Sequence, residues 1–291
     1  MLKHKKAIMH ICAFATTALW ALGYVMTRVA VEQFSSEALS FLRYFIAALT
    51  LILYGVIKKT RLPKWKDVPI FIFGGAVGFA IYVYLINEGS RTLTASVVSF
   101  LVSAAPVVTA LLARFLLREK IGIKGWVSIG CAFSGIALIT YFSGGFDFRS
   151  GVALILLATI LISIYNVFQR KLFNRYTPLE ITTYSIIAGT ILLSPFAQRA
   201  FPELMAASVN AVIAVLVLGI LSGALAFLLW AYALSKADVT GEVTNYMFIT
   251  PILTTILGFA LINEAPHLTV YLGGALVLVG VILINYRKER V

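Results

Sequence analysis

The sequence predicts an all-α integral membrane protein of ten transmembrane helices, built as two inverted five-helix repeats with both termini cytoplasmic. Three observations lead there: few charges in a long apolar chain, a one-sided distribution of Lys and Arg, and an internal repeat. Of the 291 residues, 60% are hydrophobic and only 12% are charged. A water-soluble domain of this length carries about 25% charged residues. With so few charges the outer surface must largely face lipid.

The apolar runs read as spans at residues 10–32, 37–57, 68–88, 94–116, 124–142, 150–172, 178–196, 210–234, 242–262 and 269–287. Each approaches the roughly 20 residues needed to cross a ~30 Å hydrocarbon core. Pro106 and Pro251 fall inside spans 4 and 9, which membrane helices tolerate because neighbouring groups re-satisfy the freed backbone. The basic start at Lys3, Lys5 and Lys6 runs into an apolar stretch too long for a signal-peptide core, so span 1 is expected in the mature protein. The linkers leave no room for a soluble domain.

A formal net charge of +12 would suggest nucleic acid in a soluble protein. Here the cations sit in short loops. With the N-terminus inside, Lys58, Lys59, Arg61, Lys64, Lys66, Arg114, Arg118, Lys120, Lys124, Arg170, Lys171, Arg175, Lys236, Arg287, Lys288 and Arg290 all fall on the inner side. The outer loops hold Arg91, Arg149 and Arg199. Positive charge marks the cytoplasmic side. The expected location is therefore the cytoplasmic (inner or plasma) membrane, with the lipid bilayer and a small molecule as partners and no nucleic acid.

Residues 74–141 align without gaps to 219–286, and 37–53 to 177–193. The first alignment matches Gly74 to Gly219, Gly78 to Gly223, Pro106 to Pro251, Glu119 to Glu264 and Gly135 to Gly280. The chain thus divides into repeats at 1–145 and 146–291. Five helices per repeat is an odd number, so the halves must be inverted. Inverted repeats are typical of secondary transporters, with the substrate held at the repeat interface.

Two stretches, PVVTALLARFLLREKIGIKGWVSIGCAFSGIALI from Pro106 and PILTTILGFALINEAPHLTVYLGGALVLVGVILI from Pro251, resemble the EamA-type members of the drug/metabolite transporter superfamily. Trp20, Gly23 and Arg28 are similar to that family's first-helix pattern, and Arg43 stands where it often has Arg in helix 2. Pro178 opens span 7 as the family pattern has it, whereas span 2 opens on Ser35, Ser36 and Glu37. The resemblance implies a central cavity lined by helices 1, 3, 4, 6, 8 and 9, with 5 and 10 peripheral. It also implies export of metabolites, amino acids or drugs without ATP. No Gly-rich phosphate loop with its Lys is present, which agrees, and no cofactor or metal is expected.

Span 1 carries Thr16, Trp20, Tyr24 and Arg28 at helical spacing, a polar-aromatic face that reads as cavity lining or as helix packing. The expected substrate-binding set is Trp20, Tyr24, Arg43, Tyr82, Ser99, Ser103, Tyr165, Asn166, Trp230 and Asn245. Serines in membrane helices are usually packing glue, whereas an amide such as Asn245 is costly in lipid and favours function. Gly74 with Gly78, and Gly219 with Gly223, are expected to let helices 3 and 8 pack closely. Glu119 and Glu264, being repeated, read as architectural. Arg43 is expected to snorkel or to pair with Glu32, Glu37 or Glu88; facing the cavity, it would attract a carboxylate or phosphate. Glu88 is the sole weak candidate for a proton carrier.

The first expectation is a carrier of amino acids or amphipathic metabolites working by alternating access, coupled to a proton gradient or to exchange. An anion exchanger for organophosphates or nucleotide-sugars is the second, and it requires Arg28 or Arg43 in the cavity. A membrane-embedded enzyme would need paired acids, a His cluster or a Ser–His or Ser–Lys pair at depth. Histidines at positions 4, 10 and 267, and Cys12 and Cys131, are too scattered to supply one.

Overall fold

The computed structural model describes residues 2–116, 123–142, 151–237, 241–265 and 268–285. Glu119, the paired residue of Glu264, lies outside them, as do the loop cations Arg118, Lys120, Arg149, Arg287, Lys288 and Arg290. The described residues are helical, with no strand among them.

Helices α1 (Leu2–Ala30) and α2 (Ser36–Ile57) are joined by a short turn. Helix α3 (Val68–Gly75) continues through a π-helical segment, Ala76–Ala80, into α4 (Ile81–Gly89). Next come α5 (Ala95–Val102), α6 (Ala105–Leu116) and α7 (Ile123–Phe142). The second half opens with α8 (Gly151–Leu172), α9 (Pro178–Leu193) and α10 (Ala197–Ala206). Helix α11 (Val209–Leu216) runs through a second π segment, Val217–Leu225, into α12 (Ala226–Lys236). Last are α13 (Gly241–Thr244), a 3-10 turn at Asn245–Phe248, α14 (Ile249–Ile262) and α15 (Leu268–Asn285).

Among the described residues six segments are long and apolar enough to cross a bilayer: Lys6–Ala30, Ser36–Ile57, Trp65–Gly89, Gly151–Leu172, Pro178–Ala206 and Val209–Lys236. Shorter apolar helices lie at Ala95–Thr109, Tyr246–Ile262 and Val270–Val279. Span 4 is interrupted because Pro106 has no N–H to give Val102, and the chain turns at Ser103–Ala104 between α5 and α6. Pro251 does the same for Met247, and there the helix tightens into the Asn245–Phe248 turn. Both halves therefore break at the same place in the repeat, as both carry a π segment at matching positions.

Hydroxyl side chains start several helices. Ser35 accepts from the Ala38 N–H, Thr94 from Val97 and Ser208 from Ala211. Thr177 and Glu180 form a reciprocal capping box at the start of α9. Most hydroxyls inside helices bond back to their own chain one turn earlier: Thr27 to Gly23, Ser40 to Ser36, Thr50 to Ile46, Thr159 to Ile155 and Thr254 to Thr250. Such back-bonding satisfies the hydroxyl without a neighbour.

The packing exchanges between repeat partners. Helix α1 lies against α12 and α14, and its partner α8 lies against α4 and against α5 and α6. Helix α2 packs on the π segment Val217–Leu225, and α9 on Ala76–Ala80. The pairs α2–α9 and α7–α15 join a helix to its own repeat partner.

The glycine pairs make room, but not for one another. A Cβ on Gly78 would lie 2.5 Å from the ring of Tyr165 in α8, and one on Gly74 would lie 3.1 Å from Phe168. On the other side Gly219 receives Ile46 of α2 at 2.6 Å, and Gly223 receives Ala47 at 3.1 Å. The expected approach of helices 3 and 8 is thus replaced by approach of each to the other repeat's neighbour, because bulky rings and branched side chains fill the notches.

Candidate functional site

The side chains of α1, α2, α4 and α12 converge on a narrow cleft. Trp20, Gly23, Tyr24 and Thr27 come from α1, Arg43 from α2, Tyr82 and Ile86 from α4, and Phe227 from α12. Span 2 therefore contributes, which the family resemblance did not imply, and among the described residues none from spans 4, 6 and 9 lines this cleft.

Aromatic rings make most of the wall. Trp20 meets Trp230 at 4.9 Å between centroids and Phe227 edge-on at 5.3 Å. Phe227 touches Phe79 at 5.0 Å, and Phe79 meets both Tyr165 at 5.0 Å and Tyr44 at 5.3 Å. This chain of rings runs from α12 and α1 across the Ala76–Ala80 segment to α2 and α8. Each tilted or edge-on pair contributes roughly 0.5–1.5 kcal/mol beyond burial. Close approach is needed for it: Gly23 leaves the space that Ser222 occupies, and the Ser222 hydroxyl donates to the Leu19 carbonyl at 2.8 Å.

Arg43 sits about two turns into α2 and is only 6% exposed. It does not snorkel. Its Nε is buried without a hydrogen-bond partner, and its guanidinium lies 5.7 Å from the Tyr44 ring centre. The ion pairs among the described residues involve Arg28, Arg91, Arg175 and Arg199. The expected partners of Arg43, namely Glu32, Glu37 and Glu88, do not reach it. Glu88 instead accepts from Ser36 at 2.6 Å and faces Arg91 at 3.5 Å, with its side chain 42% exposed. That surface engagement removes its case as a buried proton carrier. Tyr24, Tyr44 and Tyr82 all lie within electrostatic reach of Arg43, and the Tyr24 and Tyr82 hydroxyls approach each other. The hydroxyls of Tyr44 and Tyr165 are buried and unpartnered.

The other expected site residues divide. Trp20, Tyr24, Arg43 and Tyr82 line the cleft. Trp230 and Tyr165 stand behind it in the ring chain, buried. Asn166 is closed off: its Oδ1 accepts from Trp230 Nε1 at 3.2 Å and from Gln169 Nε2 at 3.1 Å. Ser99 and Ser103 donate to their own helix, at the Ser96 and Phe100 carbonyls, and take no part in the cleft. The Asn245 side chain lies outside the described residues. Sequence reasoning missed Tyr44, Phe79 and Ile86. Phe79 carried one signal, a large ring flanked by Gly78 and Ala80 in a stretch of small residues.

One end of the cleft-bearing bundle is tied across the halves. Arg28 Nε faces Glu264 Oε1 at 3.4 Å and its Nη1 donates to the Ser90 carbonyl at 3.3 Å. Glu264 Oε2 accepts from the Ala95 N–H, at the start of α5, at 2.9 Å. Glu264 is thus architectural, as its repetition suggested, and it engages both a base and a helix start. At the opposite end the Tyr176 hydroxyl donates to Asp67 at 2.6 Å, and Arg175 faces Asp67 at 3.6 Å. Burial first, then the bond to Asp67, pushes the Tyr176 phenol up from its ordinary value.

The chain matches the EamA-like transporter family twice, over residues 7–141 and 149–286. It belongs to that family. Among EamA-like relatives, it is 34% identical to the uncharacterized transporter YdfC of Bacillus subtilis, over 93% of this chain and 88% of that one. It is 29% identical to a probable terminal-alkyne amino-acid exporter of Streptantibioticus cattleyicolor, over 94% of this chain and 91% of that one. A protein of known crystal structure shares the fold with a TM-score of 0.67 at 17% identity, covering 96% of this chain and 97% of its own. With its apolar helices, this EamA-like transporter is a multi-pass integral protein of the cell membrane, acting on a small molecule.

Proposed function

We propose that the chain is a secondary carrier exporting amino acids or similar amphipathic metabolites across the cytoplasmic membrane by alternating access. In this reading ten helices form two inverted five-helix repeats, 1–145 and 146–291, with both termini cytoplasmic. The exchange of packing partners between the halves supports it, as do the matching π segments and proline breaks.

The observation that carries the reading is the cleft itself. It lies where α1, α2 and α4 of the first half meet α12 of the second. Its wall is aromatic, and one cation stands in it. The organophosphate reading needs Arg28 or Arg43 in the cavity, and Arg43 is there. Arg28, however, is held by Glu264. A single arginine balances a monoanionic group better than a phosphate dianion, so amino acids fit better than organophosphates. A relative named as an amino-acid exporter supports the same class.

The test is transport by the purified full chain in proteoliposomes loaded with each labelled proteinogenic amino acid in turn. Efflux of at least one, above empty vesicles, is the expected result. A carrier that moves sugar phosphates and no amino acid would replace this reading with the exchanger.

A further inference from the structure

We propose that Arg43 is the carboxylate-binding residue of the transported ligand, with the Tyr24 and Tyr82 hydroxyls beside it and the Trp20–Phe227 wall against the ligand's apolar body. This assignment rests on the carrier reading above and adds to it which chemical group is recognised and by what.

The case begins with the cost of the residue. A charge inside a membrane helix is unfavourable by roughly 2.5–3.5 kcal/mol on insertion scales, and it normally snorkels or pairs. Arg43 does neither: it is 6% exposed, and its Nε has no partner. The other membrane-depth arginine of the first half, Arg28, has found its carboxylate. Arg43 lines the cleft instead. A guanidinium presents its donors as a planar fork that matches a carboxylate bidentately. The missing counter-charge is therefore one that a ligand can bring.

The surroundings narrow the class. Tyr24 and Tyr82 line the same cleft and offer neutral donors to a second carboxylate lone pair. Among the described residues no Lys or second Arg lines it, so a phosphate dianion would stay half-neutralised. Trp20 and Phe227 present ring faces and edges that suit an apolar side chain and tolerate an ammonium group. The turn that carries Arg43 is held from the second half: the carbonyl of Arg43 would lie 3.1 Å from a Cβ on Gly219. The guanidinium is thus placed by contacts between the two repeats.

The experiment compares an acid with its amide. Proteoliposomes of the full chain are assayed for efflux of the best labelled amino acid. The unlabelled acid, its carboxamide and its aminophosphonate analogue serve as competitors, in wild type, Arg43→Lys and Arg43→Gln. In wild type the amide should compete about tenfold to a hundredfold more weakly than the acid, the worth of a charge-assisted hydrogen-bond pair. Arg43→Gln should lose transport of the acid by a similar factor and lose the preference for acid over amide. Arg43→Lys should keep part of both. Equal competition by acid and amide in wild type would overturn the assignment, and so would an Arg43→Gln carrier that keeps the preference. An aminophosphonate that outcompetes the acid would overturn the carboxylate in favour of a dianion. If Arg43→Gln fails to fold, by its thermal unfolding profile, the wild-type acid and amide comparison decides alone. A wild type that moves no amino acid removes the carrier reading and this assignment together; acid and amide moving equally removes only this one.

Discussion

Two arginines of the first half stand at similar depth in the sequence pattern and meet opposite fates. Arg28, at the end of α1, is partnered and partly exposed: Glu264 supplies the charge and the Ser90 carbonyl takes a hydrogen bond. Arg43, in α2, is more deeply buried, and its Nε is left bare. A satisfied cation at a helix end reports architecture. An unsatisfied one lining a cleft is free for the proposed ligand, because most buried polar groups in native structures are paired.

The largest effect on stability that sharpens this contrast comes from the glycine behind Arg43. Gly219→Ala places a Cβ 2.6 Å from Ile46, one turn along α2, where a branched side chain has no room to yield. Overpacking of this kind costs about 1–3 kcal/mol. A lowered thermal midpoint with a larger loss of transport is expected, since the displaced turn carries Arg43. An unchanged midpoint would mean that α2 is not held as tightly as the geometry shows.

Next in size, the two arginines should differ in sign. Arg28→Gln and Glu264→Gln should each lower the thermal midpoint, and the double variant should recover coupling of about 1 kcal/mol, discounted because both groups keep some solvent access. Arg43→Gln should leave the midpoint unchanged or raise it, since it removes a buried unpaired charge. A midpoint that falls as far for Arg43→Gln as for Arg28→Gln breaks the comparison.

Smallest is the pair of serines. Ser99→Ala and Ser103→Ala remove hydroxyls that bond only to their own helix, so each should change stability by about 0.6 kcal/mol or less and leave transport intact. A large transport loss in either would return them to the binding set.

The helical membrane fold was legible because few charges and long apolar runs leave little choice. The positions of the helix breaks were legible too, in Pro106 and Pro251. Within the site, Trp20, Tyr24 and Tyr82 could be found from their depth and spacing. What could not be read was which face of a helix meets which neighbour. Asn166 and Arg43 are both polar residues at membrane depth. Only the packing shows that Asn166 meets Trp230 and Gln169, whereas Arg43 meets rings and open space. The serines failed for a related reason: a hydroxyl can satisfy itself on the preceding turn, so its presence on a helix face carries no information about a partner.

That habit of self-satisfaction has a mechanical side. Thr27, Thr50 and Thr254 bond back to their own helices, whereas Asn87 donates to Ser40, Ser163 to the Ala105 carbonyl and Thr190 to the Tyr44 carbonyl across helix boundaries. Where an interface is held by rings, methyl groups and glycine notches alone, no polar link resists sliding. There two helices can slide past each other without stranding a donor in lipid, while the crossing hydrogen bonds of Ser222, Ser163, Thr190 and Asn87 fix the register elsewhere.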